Sequence, residues 1–341
     1  MTDAERGHDP AGWTTPQWRE AATAWLDRQL AAAGLARTGP VAQPRIRVWG
    51  TVLRAPTTGG PVWLKAPAPA TAFEVSLYPV LARLVPDRVL VPLAADPERG
   101  WLLLPDGGPA LREQVPPDRL VDAMVTVLPQ YGQLQRDLAG HAGALLAAGV
   151  TDMRPAAMPA RFDQALAAVE DYLGYAGTEA DRSAYRRVAG LRAGFGSWCE
   201  RLAGLPGPAS LDHSDLHPGN VLGSPGGPVR FYDWGDSVLA HPFATLLVGL
   251  GYFGNVPGAG PRDPAIVRLR DAYLEAFSDL ATHRELVEAV ELACTVGKVA
   301  RCLVWHRALA AGGYQQDGEF ARAPVEWLLA LALPGYFSVG G

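Results

Sequence analysis

Lysine is nearly missing from this chain: of 30 basic residues among 341, only Lys65 and Lys298 are lysines. The accompanying richness in Ala, Gly, Pro and Arg has the pattern that a GC-rich coding sequence imposes. Against that bias a surviving lysine is informative, because a compact ammonium and a planar guanidinium do not replace one another where a point charge is needed. Cysteine is scarce as well. Cys199, Cys294 and Cys302 are too few for a disulfide framework, and their spacing fits no zinc pattern. They are expected to be reduced thiols in a cytoplasmic protein. Charged residues make up 19%, with a net charge of −5 and no basic arm or run of like charge, which argues against nucleic acid as a partner. Met1 to Pro10 is polar and lacks the apolar region of a signal peptide. Apolar stretches such as Ala240 to Phe253 are interrupted by His, Pro, Thr and Gly, so no membrane span is expected. What is present is a 48% apolar chain, long enough for one large or two ordinary domains.

Local pattern divides the chain. Thr15 and Pro16 read as N-cap and first helical position, and Trp18, Ala21, Ala22, Trp25, Leu26 and Leu30 keep a helical period up to Gly34. A β-rich stretch follows: Arg45 to Arg54 with Trp49-Gly50-Thr51 as its turn, Val62 to Lys65, Val89 to Leu93 and Trp101 to Leu104. One helix, Ala72 to Leu84, lies among these strands. Pro105 to Pro109 breaks the pattern. Beyond it, helices are expected over 117–138 with a kink at Pro129, and over 159–173, 179–202, 242–253, 264–280, 284–311 and 321–333. In that half only Val221-Leu222 and Val229 to Tyr232 read as strands, forming one hairpin. The expected class is α+β: a small sheet-rich lobe over 1–104, a hinge at 105–109 and a larger helical lobe over 110–341.

Two short segments concentrate one chemistry. His213-Ser214-Asp215-Leu216-His217-Pro218-Gly219-Asn220 matches His-x-Asp-x4-Asn, and Asp233-Trp234-Gly235 follows after the hairpin. Phosphoryl transfer needs oxygen ligands for a divalent metal and a carboxylate that positions the attacking hydroxyl. It also needs a sheet lysine on the phosphates, oriented by a helix glutamate. The chain offers each of these parts, in the order lysine, helix glutamate, positioning carboxylate and then the two metal ligands. Asp215 is the candidate carboxylate, Asn220 and Asp233 the candidate metal ligands, with Gly235 permitting a tight turn. The hairpin brings Asn220 and Asp233 to neighbouring strand ends. Lys65 ends Val62-Trp63-Leu64-Lys65, the place of the phosphate-binding lysine. Glu74 opens the next helix with two readings: ion-pair partner of Lys65, or closing residue of the capping box Thr71-Ala72-Phe73-Glu74. Trp49-Gly50-Thr51 is either the nucleotide-covering turn or an ordinary hairpin turn. A zinc site at His213, Asp215 and His217 is disfavoured, since no thiolate or further histidine is near and Asn220 is a poor zinc ligand.

HSDLHPGN followed by YDWGDS resembles the aminoglycoside phosphotransferase and choline kinase superfamily, with the specific match over roughly residues 209 to 237. The resemblance implies a protein-kinase-like two-lobe fold, ATP and Mg2+ as cofactors, Asp215 as catalytic base, and Asn220 and Asp233 as metal ligands. It implies transfer to a hydroxyl of a small molecule: an aminoglycoside-like antibiotic, an amino sugar or a related metabolite. Leu104 and Asp106 fall at the interlobe hinge, whose backbone would meet adenine; GTP stays open as donor. His213 reads as loop scaffold, and His217 as a phosphate contact or loop packing. The superfamily usually has Gly where this chain has Ser214, and often Asp-Pro and a second Asp where it has His241-Pro242 and Thr245. Those departures leave the acceptor open. Asp236, Glu275, Glu291, Arg301, Trp305 and His306 are acceptor-site candidates, with Trp305 read as core and Lys298 as a solvated helix residue. A pseudokinase is disfavoured because base, metal ligands and lysine are all present. A protein substrate is disfavoured because no Ala-Pro-Glu segment follows Asp233.

Overall fold

In the computed structural model Thr15 accepts the N–H of Trp18 at 3.3 Å and Pro16 fills the first helical position, so α1 (Pro16–Ala32) begins there. The structure describes residues 11–254, 260–311, 320–333 and 335; Met1 to Pro10 lie outside them. α1 buries Trp18, Trp25, Leu26 and Leu30 against a five-stranded sheet. There Trp18 and Trp25 meet Trp101 edge-on at 6.4 and 5.6 Å. The strands are β1 (Ala42–Arg47), β2 (Gly50–Ala55), β3 (Val62–Pro67), β4 (Ala94–Asp96) and β5 (Trp101–Pro105), in spatial order β1-β2-β3-β5-β4 and antiparallel throughout. Lys65 pairs with Val52 on one side and Leu102 on the other. Side chains alternate across a strand, so while Leu64 is fully buried under α1, Lys65 points from the opposite face. α2 (Phe73–Leu84) follows β3 and crosses that face.

The expected strand over Val89 to Leu93 is not formed. Val89 makes one parallel bridge to Phe231, Pro92 has no N–H to give to a ladder, and β4 begins only at Ala94, directly after the expected span.

The larger part is helical: α3 (Leu111–Gln114), α4 (Leu120–Leu138), α5 (Ala142–Ala147), α6 (Met158–Ala176), α7 (Glu179–Ala189), α8 (Arg192–Ala203), α9 (Leu246–Gly254), α10 (Pro264–Leu274), α11 (His283–Leu309) and α12 (Ala323–Leu329). The single helix expected over 179–202 is two, broken at Gly190-Leu191. α11 is the longest, 27 residues, entered through a Thr282–Glu285 capping box. The hairpin of β8 (Val221–Gly223) and β9 (Val229–Phe231) pairs Val221 with Phe231, and the Tyr232 N–H reaches the Asn220 carbonyl at 3.3 Å. Asn220 and Asp233 therefore flank the same end of one ladder. A second small sheet was not expected: β6 (Thr151–Asp152), β10 (Val238–Ala240) and β7 (Ser210–Asp212), in the order β6-β10-β7. Strands of two or three residues are too short to show a period of two.

Lys298 is a further correction. It is 1% exposed, and its ammonium donates to the carbonyls of Ala330 at 2.9 Å and Gly335 at 3.0 Å. It thus closes the turn after α12 rather than facing solvent. The three cysteines are free and buried, and among the described residues no helix is long and apolar enough to cross a membrane.

Candidate active site

The lysine on β3 faces the opening between the two lobes. Its Nζ lies 2.7 Å from Glu74 Oε2 and 2.8 Å from Oε1, and it also bonds Asp233 Oδ1. Glu74 is 1% exposed, and its Oε1 accepts the Trp234 N–H at 2.9 Å. The capping box does not form. Thr71 turns its hydroxyl to the carbonyls of Trp49 and Ala68 at 3.0 and 3.2 Å, leaving Glu74 to the lysine. One cluster thus ties β3, α2 and the loop after β9. Burial disfavours the charge on Lys65, but Asp233 and Glu74 outweigh it and carry its pKa above the ordinary lysine value. Burial also resists ionisation of Asp233, yet Lys65 holds it below the usual carboxylate range. For Glu74 burial prevails and pushes its carboxyl upward.

The turn after β9 differs from expectation. The residue with positive φ is Asp233, at φ 66° and ψ 63°, not Gly235. Asp tolerates this left-handed conformation better than most residues. Gly235 instead gives room: a Cβ there would come within 3.3 Å of Glu74 Oε2 and press on the carboxylate that holds Lys65.

The loop after β7 carries the other half. Asp215 Oδ1 accepts from Arg301 Nη2 at 2.9 Å, and Asp215 Oδ2 from Asn220 Nδ2 at 3.0 Å. His217 Nε2 stands 3.5 Å from Oδ2. Burial raises the Asp215 pKa, but the Arg301 charge, followed by His217, overrides it and keeps the group ionised well below the ordinary range. Asn220 Nδ2 also reaches the Asp215 carbonyl at 2.9 Å, so its amide oxygen is the atom left for a ligand. His217 Nδ1 accepts the Gly219 N–H at 3.0 Å, and its ring stacks on Tyr252 at 5.7 Å. His213 is fully buried: its Nε2–H donates to the Tyr232 carbonyl at 2.9 Å, and its backbone N–H donates to the Tyr131 hydroxyl at 2.8 Å. Burial lowers its pKa, so it stays neutral and acts on the backbone beside the site. Ser214 adopts φ 61°, with its N–H held by Asp212 Oδ1 at 2.8 Å.

Two adjoining cavities share Lys65, Tyr232 and Asp233. The larger, about 650 Å³, is walled by Val52, Leu90, Leu104 and Leu222 and bounded by residues 105–110. Leu104 gives it an apolar face. Asp106 is committed locally: its N–H goes to the Pro61 carbonyl at 3.1 Å and its carboxylate takes the Gly108 N–H at 2.9 Å. The smaller cavity, about 350 Å³, gathers Lys65, Glu74, Asp215, Asn220, Asp233 and Asp236. The Trp49 turn lies over it, pinned to the far lobe by an edge-on contact with Trp305 at 6.0 Å.

A sequence model described as the phosphotransferase enzyme family matches residues 51–286. The chain belongs to the phosphotransferase enzyme family. Solved structures share its fold at low identity. The macrolide 2′-phosphotransferase of Brachybacterium faecium is 19% identical with a TM-score of 0.57, over 89% of this chain and 97% of that one. An ethanolamine kinase of Plasmodium vivax is 11% identical with a TM-score of 0.64, over 94% and 90%. A choline/ethanolamine kinase family protein of Mesorhizobium loti is 20% identical with a TM-score of 0.54, over 93% and 96%. No curated protein sequence matches the chain. As a member of this phosphotransferase family with a protein-kinase-like two-lobe fold, the chain is a small-molecule kinase.

Of the weaker acceptor-site candidates, Asp236, Arg301 and Trp305 line the smaller cavity of this phosphotransferase, while Glu275 and Glu291 are exposed elsewhere and His306 lines neither cavity. Trp305 is half-buried at the cavity wall, not core. Arg307 went unnoticed in the sequence. Its Nη2 donates to the Gly235 carbonyl at 3.1 Å, and its guanidinium lies 4.8 Å from the Phe73 ring, bracing the turn after Asp233. Its only sequence signal is arginine at a six-residue spacing from Arg301, which on a long helix says nothing specific.

Proposed function

We propose that this kinase transfers the γ-phosphoryl group of ATP, with magnesium, to a hydroxyl of a small molecule. The carrying observation is the Lys65 bridge: one ammonium holds Glu74 and Asp233 together in the cavity that also contains Asp215 and Asn220. The apolar walls at Val52, Leu90, Leu104 and Leu222 suit a purine, and residues 105–109 serve as the hinge between a 1–104 lobe and a 110–341 lobe. Lys65 binds phosphate oxygens, oriented by Glu74. The Asn220 amide oxygen and the Asp233 carboxylate form an all-oxygen donor set suited to a hard divalent ion. Magnesium, when bound there, neutralises charge on the transferring phosphate. Asp215 accepts the hydrogen bond of the attacking hydroxyl. Its depressed pKa makes it an orienting group that takes the proton late, as a loose transition state allows. His213 keeps the loop in register from beneath.

ADP release tests the assignment. In purified enzyme Asp215→Ala should lower turnover by about 10²- to 10⁴-fold with ATP binding nearly unchanged. Asp233→Ala should in addition weaken Mg–nucleotide binding in a titration, and chelation of magnesium should stop turnover. Normal turnover by Asp215→Ala sinks the reading. The same assay with GTP in place of ATP reports donor choice.

A further inference from the structure

Every carboxylate lining the smaller cavity already has a basic partner: Glu74 and Asp233 share Lys65, and Asp215 and Asp236 share Arg301. Arg301 lies on α11, beyond residue 286 where the family match ends. Its side chain is 6% exposed, with Nη1 2.5 Å from Asp236 Oδ2 and Nη2 2.9 Å from Asp215 Oδ1. One helical turn later the Trp305 ring lies 5.2 Å from the guanidinium carbon, and Ala308 continues that face into the cavity. Trp305 stacks on Phe320 at 5.1 Å, which fixes the ring plane. Arg45 and Arg112 add positive charge to the remaining walls.

A site for a polycation needs carboxylates not already neutralised, because an ammonium leaving water must find a counter-charge. Among the described residues lining this cavity none is left. The wall instead offers a flat apolar surface beside a fixed guanidinium. We propose that the α11 face of Arg301, Trp305 and Ala308 is the acceptor wall, selecting hydroxyl compounds with an apolar ring face and little positive charge over polycations. Arg301 is the positioning residue that fixes Asp215 and cancels Asp236. This rests on the kinase reading above and adds the class of acceptor. In the transfer the acceptor oxygen bonds the γ-phosphorus and the bond from that phosphorus to the ADP oxygen breaks. The hydroxyl proton passes to the Asp215 carboxylate and on to solvent. Arg301 gives up no proton.

The test uses the full chain with ATP and magnesium, reading ADP release and calorimetric binding. The probes are 4-methylumbelliferyl glucoside and a macrolide on one side and kanamycin on the other. The low-charge probes should bind and stimulate ADP release in the wild type, and kanamycin should do neither. Trp305→Ala should raise the acceptor KM at least tenfold, and by more than it raises the KM for ATP, since the ring also braces the Trp49 turn. Arg301→Gln should lower kcat at least tenfold and strengthen kanamycin binding at least tenfold, and Arg301→Lys should restore part of kcat. Kanamycin as the tighter probe in the wild type overturns the proposal. So does an acceptor KM unmoved by Trp305→Ala, or a wild type and Arg301→Gln that bind neither class. Slow ADP release to water, abolished by Asp215→Ala, separates two failures. If it persists when the probes fail, only the acceptor wall falls; if the wild type releases no ADP at all, the kinase reading falls and the wall with it.

Discussion

Glu74 holds Lys65 at 2.7 Å through Oε2 while its Oε1 takes the Trp234 N–H at 2.9 Å, so one carboxylate sets both the ammonium and the turn after Asp233. Glu74→Gln separates the two tasks. The amide oxygen can still accept from Trp234, but the charge facing Lys65 is gone. Lys65 then leans wholly on Asp233, a group assigned to the metal. The KM for ATP should rise about tenfold, or about 1.4 kcal/mol of binding, with the acceptor KM little changed. Steady-state kinetics with each substrate varied in turn checks this; a change confined to the acceptor KM contradicts it.

Ser214 occupies the left-handed region at φ 61°, where a Cβ meets the neighbouring carbonyl. The conformation is enforced by its N–H bond to Asp212 Oδ1 at 2.8 Å and by the burial of the loop. Glycine reaches this region without strain, though it adds freedom to the unfolded chain. Ser214→Gly should therefore stabilise the protein by about 0.5–1 kcal/mol, a rise in Tm of about 1 °C for a chain of this length. Turnover should be unchanged. A melting temperature that falls would show that the serine hydroxyl matters more than the backbone.

The parts of the site that could be read from sequence are those joined by short spacing. Asp215 and Asn220 lie on one loop, and Asp233 follows a hairpin whose register needs only a few residues to declare itself. Lys65 stood out because lysine is rare in this chain. Arg301 and Arg307 had no such context: they reach Asp215 and Gly235 across 86 and 72 residues, from a helix whose pattern shows only that it is buried. Glu74 also fits a capping box in sequence, and only the Thr71 hydroxyl bond to the Trp49 carbonyl removes that reading. The β6-β10-β7 sheet was hidden because its strands are shorter than one repeat of alternation can establish. Lys298 misled for the opposite reason, since a helix position says nothing of which carbonyls a later turn brings to it.

That buried lysine has a measurable pH signature. Burial lowers the Lys298 pKa from 10.5 to about 8. Between these values the unfolded chain holds a proton that the folded chain has released, so stability rises with pH across that window. Below about pH 8 the folded state carries the charged group in full, at a cost of about 3 kcal/mol against solvent. Lys298→Met should flatten the slope of unfolding free energy between pH 8 and 10.5. It should also leave the Ala330 and Gly335 carbonyls without their donor, which opposes the gain near neutrality. Urea melts of both proteins at pH 7.5 and 10 read the difference; parallel slopes contradict it.

Asp212 makes the opposite prediction in acid. It lies one residue before His213, 3% exposed, and burial raises its pKa from 3.8 to about 6 despite the Ser214 N–H bond and the nearby Arg301 charge. Between those values the folded chain binds a proton that the unfolded chain lacks, so this group makes stability fall as pH rises from about 4 to 6. Above pH 6 the loss is complete, at most about 3 kcal/mol. Asn is the matched probe, because its amide oxygen can still accept the Ser214 N–H while carrying no charge. Asp212→Asn should be more stable than the wild type at pH 7 and close to it at pH 4, with turnover within a few-fold at neutral pH. Urea melts at the two pH values decide it. A variant equally destabilised at both would mean that the loss does not depend on the Asp212 charge and that its value to the loop is geometric, whereas one destabilised only at pH 7 would mean that Arg301 compensates the charge.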